Sequence, residues 1–105
     1  MLQLDERSSG RTVSLQIGQT VEVGLSETPS TGFRWALVEK GEPACTLISD
    51  SFEPGVKRPG QSGFHRWQFQ AIQAADGLIE LHHSRPWEQS AAPSGIFTLA
   101  LQVQP

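Results

Sequence analysis

The fold is decided by one stretch near the end of the chain, Ile96-Phe97-Thr98-Leu99-Ala100-Leu101-Gln102-Val103, in which large apolar side chains alternate with small or polar ones. Successive side chains of a strand point to opposite sides, so Phe97, Leu99, Leu101 and Val103 are expected to share one face. A strand with one apolar face needs a second layer to cover that face. The stretch therefore predicts a β protein built from two packed layers.

The same period of two recurs along the chain, whereas helical periodicity hardly occurs. It predicts a short strand near residues 2–4 and further strands at 11–17, 20–25, 33–37, 45–52, 65–71, 78–83 and 96–103. Ile17 is expected to continue the apolar face of Val13 and Leu15, and Ala75-Asp76-Gly77 is expected to form a turn. Seven to eight such strands fit an all-β, immunoglobulin-like β-sandwich, with a small closed barrel as the alternative.

Length and composition restrict the class of protein. A chain of 105 residues with 37% hydrophobic residues predicts a single domain, 1–105, with one modest core. Eight Lys+Arg against 11 Asp+Glu give a charge of -3, which disfavours a nucleic-acid partner. No apolar run approaches the roughly 18 residues of a membrane helix, so no membrane partner is expected. The single Cys45 is predicted to be a small buried hydrophobe and not a nucleophile.

The first residues show neither a basic n-region nor an apolar h-region, so no signal peptide is expected in the chain as given. The compartment stays open. The chain as given is expected to be cytoplasmic, and it is expected to be periplasmic or secreted if a signal peptide has been trimmed.

The residues that could act in catalysis or bind a metal do not have the spacing typical of a catalytic or metal site. His82 and His83 are adjacent on a predicted strand, so their side chains leave on opposite faces and cannot bind one metal together. Ser62 is followed two residues later by Phe64, where a nucleophile elbow has Gly. Carboxylates such as Glu22 are scattered, and most are expected to be solvated. We therefore expect no enzyme, no metal site and no cofactor.

Three segments outside the strands carry the unusual residues. Thr28-Pro29-Ser30-Thr31-Gly32-Phe33 combines a rigid Pro, hydroxyls that bond locally and a Gly that tolerates positive φ. Gly60-Gln61-Ser62-Gly63-Phe64 ends an aperiodic stretch of about 11 residues, a length more typical of functional loops. Arg85-Pro86-Trp87 places a cation and a large aromatic just outside a strand. Trp and Arg dominate binding hot spots, which favours recognition over core burial for Trp87.

These three segments, in this order, resemble the motifs of the chagasin family of cysteine-protease inhibitors, inhibitor family I42. The first loop of the family reads Asn-Pro-Thr-Thr-Gly-Phe/Tyr, the second reads Gly-x-Gly-Gly, and the third, Arg-Pro-Trp, is unchanged at residues 85–87. Thr28 stands where the family has Asn, and Ser62 stands where it has Gly. Both departures are expected to affect the affinity and the range of enzymes bound.

The resemblance implies an immunoglobulin-like β-sandwich with three functional loops at one end. It also implies a reversible, tight-binding inhibitor of papain-family (C1) cysteine proteases such as papain and cathepsin L, acting as a monomer. Thr31 and Gly32 would lie closest to the catalytic Cys and His of the protease, residues 60–64 would follow the non-primed subsites, and Trp87 would pack on the primed side.

Two other functions stay open on the residues alone. One is an immunoglobulin-like recognition or adhesion module that binds a protein or glycan through the same loops. The other is a small hydrolase that uses Ser62 with a histidine.

Overall fold

The computed structural model describes residues 1–55, 62–85, 87 and 92–105. Eight strands lie within these residues: β1 (Leu2–Leu4), β2 (Arg11–Gln16), β3 (Thr20–Glu27), β4 (Arg34–Lys40), β5 (Cys45–Glu53), β6 (Gly63–Ala71), β7 (Ala75–Ser84) and β8 (Gly95–Gln104). Two single turns of 3₁₀ helix occur at Glu6–Ser8 and Pro29–Thr31. Every strand predicted from the sequence is present, and no described helix is long and apolar enough to cross a membrane.

The strands form two separate four-stranded sheets within the described residues. The first has the order β1-β3-β6-β5 and the second has the order β2-β8-β7-β4. The pairs β1/β3 and β2/β8 are parallel, and the other neighbours are antiparallel. The two sheets pack as a sandwich, which confirms the predicted fold class and excludes the closed barrel.

The core lies between the sheets, where the alternating faces meet. Trp67 and Phe69 of β6 are at most 1% exposed, and they belong to the same hydrophobic cluster as the buried side chains of β8. The four residues of β8 predicted to share one face, Phe97, Leu99, Leu101 and Val103, are all buried. The period-two pattern therefore identified the core face of this strand correctly.

Two local expectations were wrong. Ile17 is 48% exposed and lies outside β2, because it is the first residue of the turn that follows the strand. The side-chain Oε1 of Gln19 accepts the Gln16 N–H at 2.8 Å and stabilises that turn. Residues 75–77 are paired with β8 and belong to β7. The chain reverses earlier, at residues 72–74 between β6 and β7, where the Ile72 and Gln73 amides both donate to the carbonyl of Ala44.

The strand connections 28–33 (loop 1), 54–62 (loop 2) and 85–94 (loop 3) begin and finish at the same end of the sandwich. The pairs nearest this end are Glu27–Gly63, Glu53–Phe64, Arg34–Ser84 and His83–Gly95. We call this the loop end. The turn around Gly18 lies at the opposite end, where its amide donates to the carbonyl of Ala71.

Cys45 is fully buried, as predicted, and burial, with a smaller effect of Glu42, raises the pKa of its thiol to about 11. Because the thiolate is the reactive species, we expect the native protein to resist Ellman's reagent at mildly alkaline pH. The protein unfolded in guanidinium should react promptly. The rate of colour development measures both reactions, and rapid labelling of the native protein would contradict the assignment of Cys45 to the core.

Candidate binding site at the loop end

The structure describes most, though not all, of the residues predicted to form the site. All of loop 1, together with Ser62, Arg85 and Trp87, lies within the described residues. Gly60, Gln61 and Pro86 lie outside them. Gly63 and Phe64 are the first residues of β6, so loop 2 ends one residue before Gly63, earlier than the sequence pattern suggested.

Loop 1 is shaped by hydrogen bonds within its own backbone and hydroxyls. The carbonyl oxygen of Thr28 accepts both the Thr31 N–H at 3.1 Å and the Thr31 hydroxyl at 2.7 Å. The same hydroxyl oxygen accepts the Phe33 N–H at 3.3 Å. Thr31 is exposed, yet its side chain connects the start of the 3₁₀ turn to the end of the loop.

The base of loop 1 is closed by a buried carboxylate that the sequence analysis missed. Glu27 is 3% exposed, and its Oε2 accepts the Trp35 backbone N–H at 2.7 Å. The Trp35 indole N–H donates in turn to the Ser26 carbonyl at 3.0 Å. These bonds join β3 to β4, which lie in different sheets. A signal was present, because Glu27 is in phase with the buried apolar residues of β3, where a charged residue needs partners.

His65 lies beneath the loop end, between two carboxylates. Its ring stacks on Trp67 with centroids 3.9 Å apart. The Nδ1 atom lies 3.4 Å from Oε1 of Glu27, and Nε2 bonds to Asp50. The two carboxylates approach opposite nitrogens of the ring and do not converge on a common point. Among the described residues, no group of three or more His, Cys, Asp or Glu could hold a metal ion.

Loops 1 and 3 are joined through aromatic contacts. The Arg85 guanidinium carbon lies 4.4 Å from the centroid of the Phe33 ring, a cation–π geometry. Phe33 also stacks on His83 with centroids 5.3 Å apart. His83 is positioned by Ser94, whose hydroxyl lies 2.8 Å from its Nδ1. Phe33 and Arg85 are half-buried, so much of their surface is used within the loop end.

A second contact between loops 1 and 3 is made by Gly32 and Trp87. Gly32 has a φ of +80°, and a Cβ added to it would come within 3.1 Å of Cζ2 of Trp87 and would overlap Cη2. Glycine is thus required here by both the backbone and the neighbouring ring. Trp87 is 67% exposed, which excludes the core burial considered as its alternative.

Loops 1 and 2 are joined by a bond between two hydroxyls. Oγ1 of Thr28 lies 2.6 Å from Oγ of Ser62. The next residue, Gly63, runs so close to β5 that an added Cβ would overlap the Glu53 carbonyl oxygen and lie 2.7 Å from Cζ of Phe52. The structure thus brings residues of all three predicted segments together.

The described histidines do not assemble a catalytic pair with Ser62. His82 bonds to Glu80 at 2.6 Å on the outer face of the second sheet, while His83 is directed inward toward loop 3. The predicted opposite orientation of these two residues is confirmed. Ser62 instead bonds to Thr28, as described above.

One carboxylate on the outer face of the first sheet differs from the expectation of solvated acids. Glu22 is only 8% exposed. Its Oε1 lies 3.2 Å from Nε of Arg66, and its Oε2 accepts a bond from Gln68 at 3.1 Å. The long side chains of β6 cover it, an arrangement that depends on the pairing of β3 with β6 and has no signature in the local sequence.

Known proteins share both the sequence pattern and the fold. The family model described as "Chagasin family peptidase inhibitor I42" matches residues 14–101. The protein named Chagasin, from Trypanosoma cruzi, is 27% identical over 100 residues, which cover 90% of this chain and 91% of its own length.

Solved structures share the fold, including the following two. The crystal structure of the cysteine protease inhibitor EhICP2 from Entamoeba histolytica has a TM-score of 0.89 at 21% identity, covering 98% of this chain and 95% of its own. The structure of PbICP-C in complex with falcipain-2 has a TM-score of 0.68 at 17% identity, covering 99% of this chain and 98% of its own.

Gly32→Ala is expected to displace the Trp87 ring, because the new methyl group would occupy its place. Gly18→Ala is the matched control, since Gly18 also has positive φ (+95°) but nothing within 4 Å of an added Cβ. Acrylamide quenching of tryptophan fluorescence reports the change, as Trp67 is buried and Trp35 half-buried. Equal quenching in the two variants would show that Trp87 does not rest on Gly32.

Proposed function

The chain belongs to the chagasin family of peptidase inhibitors, and we propose that it is a reversible, tight-binding inhibitor of papain-family cysteine proteases. It acts by occlusion of the active-site cleft with loops 1, 2 and 3 and performs no chemistry of its own. The observation that carries this proposal is the mutual anchoring of the three loops at one end of the sandwich, with Thr31 and Trp87 left exposed there.

We infer the roles of the three loops from the resemblance of their motifs to those of the family. Loop 1 enters the cleft with Thr31 and Gly32 closest to the catalytic Cys and His. The segment of residues 60–64 follows the non-primed subsites, and Trp87 packs on the primed side. Phe33 and Arg85, which are half-buried against one another, hold the loops in position.

The loop bonds explain how so small a protein can bind tightly. A standard interface covers roughly 800 Å² per partner, and the ordering of flexible loops subtracts directly from its affinity. Loop 1 is already ordered by the Thr31 bonds to Thr28 and Phe33. The Glu27 and Trp35 bonds fix both ends of this loop before any protease arrives.

The same order is expected to protect loop 1 from cleavage. A peptide bond reacts only when its carbonyl can approach the nucleophile in attack geometry. The Thr28 carbonyl already accepts two bonds within the loop. Occlusion without turnover follows if the loop keeps this shape in the cleft.

Titration into papain and into cathepsin L, with a fluorogenic peptide substrate, tests the proposed function. We expect competitive and stoichiometric loss of activity in both enzymes, while trypsin, which has no cysteine nucleophile, is unaffected. Full activity of several papain-type enzymes at excess protein would contradict the proposal and would favour the recognition or adhesion module.

Trp87→Ala is expected to weaken inhibition by about 2 kcal/mol or more, roughly thirtyfold, because an exposed Trp that becomes buried is a typical hot spot. The inhibition constant for papain measures the loss. Gln16→Ala, an exposed site at the opposite end of the sandwich, serves as the control and should leave the constant unchanged. A folded Trp87→Ala protein that inhibits as well as the parent would rule out the anchor role.

A further inference from the structure

We propose that Thr28 and Ser62 are a positioning pair that couples loop 1 to loop 2, so that each loop has its binding geometry only when the other is in place. The inference deepens the proposed function and rests on it. Thr28 and Ser62 stand at two of the positions where the sequence departs from the family motif, and the structure shows that these two departures contact each other.

The distance and chemistry suit a direct bond. The two oxygens are 2.6 Å apart, within the normal range for O–H···O hydrogen bonds. Each hydroxyl can donate once and accept twice, so either residue can be the donor. Asn at 28 with Gly at 62, as in the family motif, could not form this bond, because Gly has no side chain.

The pair continues the ladder between β3 and β6 by one step. Glu27 pairs with Gly63 at the last rung of that ladder, which makes Thr28 and Ser62 the next opposed residues. Opposed residues in antiparallel strands bring their side chains within bonding distance. The bond between the Thr28 and Ser62 side chains therefore comes directly after the last backbone pair of β3 and β6.

Thr28 and Ser62 are each held in place by contacts in their own loop or strand. Thr28 carries the carbonyl that accepts both bonds from Thr31, so a shift of Thr28 would move the exposed part of loop 1. Ser62 precedes Gly63, whose backbone is packed closely against Glu53. A change in loop 2 is therefore transmitted to Thr31 through the Ser62–Thr28 bond and then through the Thr28 carbonyl.

A double-mutant cycle measures this coupling. Thr28→Val and Ser62→Ala each remove one hydroxyl with little change of shape, and each is expected to raise the papain inhibition constant about threefold to tenfold. The double variant should be no weaker than the weaker single variant, because the same bond is lost in all three. Thr28→Ser, which keeps the hydroxyl, should restore most of the inhibition.

Ser14→Ala removes a hydroxyl from an exposed position of β2 and serves as the matched control. It should leave the inhibition constant unchanged. Losses that add in the double variant would mean that Thr28 and Ser62 act separately, which would overturn the proposal.

Amide hydrogen exchange of the free protein tests the coupling without any protease. Ser62→Ala, a change in loop 2, should speed exchange of the Thr31 amide in loop 1, whereas Ser14→Ala should not. Unchanged exchange at Thr31 would overturn the proposal. If the parent protein fails to inhibit papain-type enzymes, the proposed function is wrong, and the exchange result alone decides whether the two loops are coupled.

Discussion

The loop end depends on the buried carboxylate of Glu27. An ionised carboxylate taken out of water is costly unless hydrogen bonds or opposite charges compensate for the lost hydration. Here the Trp35 amide donates to it and the His65 ring lies beside it. Since Glu27 ends a strand of one sheet and Trp35 lies near the start of a strand in the other, this contact fixes both ends of loop 1 relative to the core. The rest of the site is built upon that fixed base.

Three kinds of interaction then hold the loops to one another above this base. The Trp87 ring packs against Gly32, and the Arg85 guanidinium lies over the Phe33 ring. The hydroxyls of Thr28 and Ser62 bond to each other and join loops 1 and 2. None of them needs a hydrophobic core of its own. The arrangement keeps a large aromatic side chain exposed on an ordered support, which is what a preformed binding surface requires.

The errors of prediction have two physical origins, a local turn and the packing of distant strands. Ile17 has the right spacing for the core, but it lies in a turn in which the side chain of Gln19 accepts the Gln16 N–H. Glu22 is expected from the sequence to be solvated, yet Arg66 and Gln68 of the paired strand cover it. Glu27 could have been found, because a charge in phase with buried residues implies a partner, but the identity of that partner depends on how the two sheets pack.

The sequence by itself determined the strands, the faces they bury and the three segments that carry the family motif. These properties are local, since they follow from a period of two and from the turn chemistry of Pro, Gly and hydroxyl residues. Only the tertiary structure decided which loop residues touch. Thr28 and Ser62 are 34 residues apart in the chain, and they meet because strand register places them opposite each other. Gly32 and Trp87 likewise meet only because β4 and β7 pair beside the same end of the sandwich.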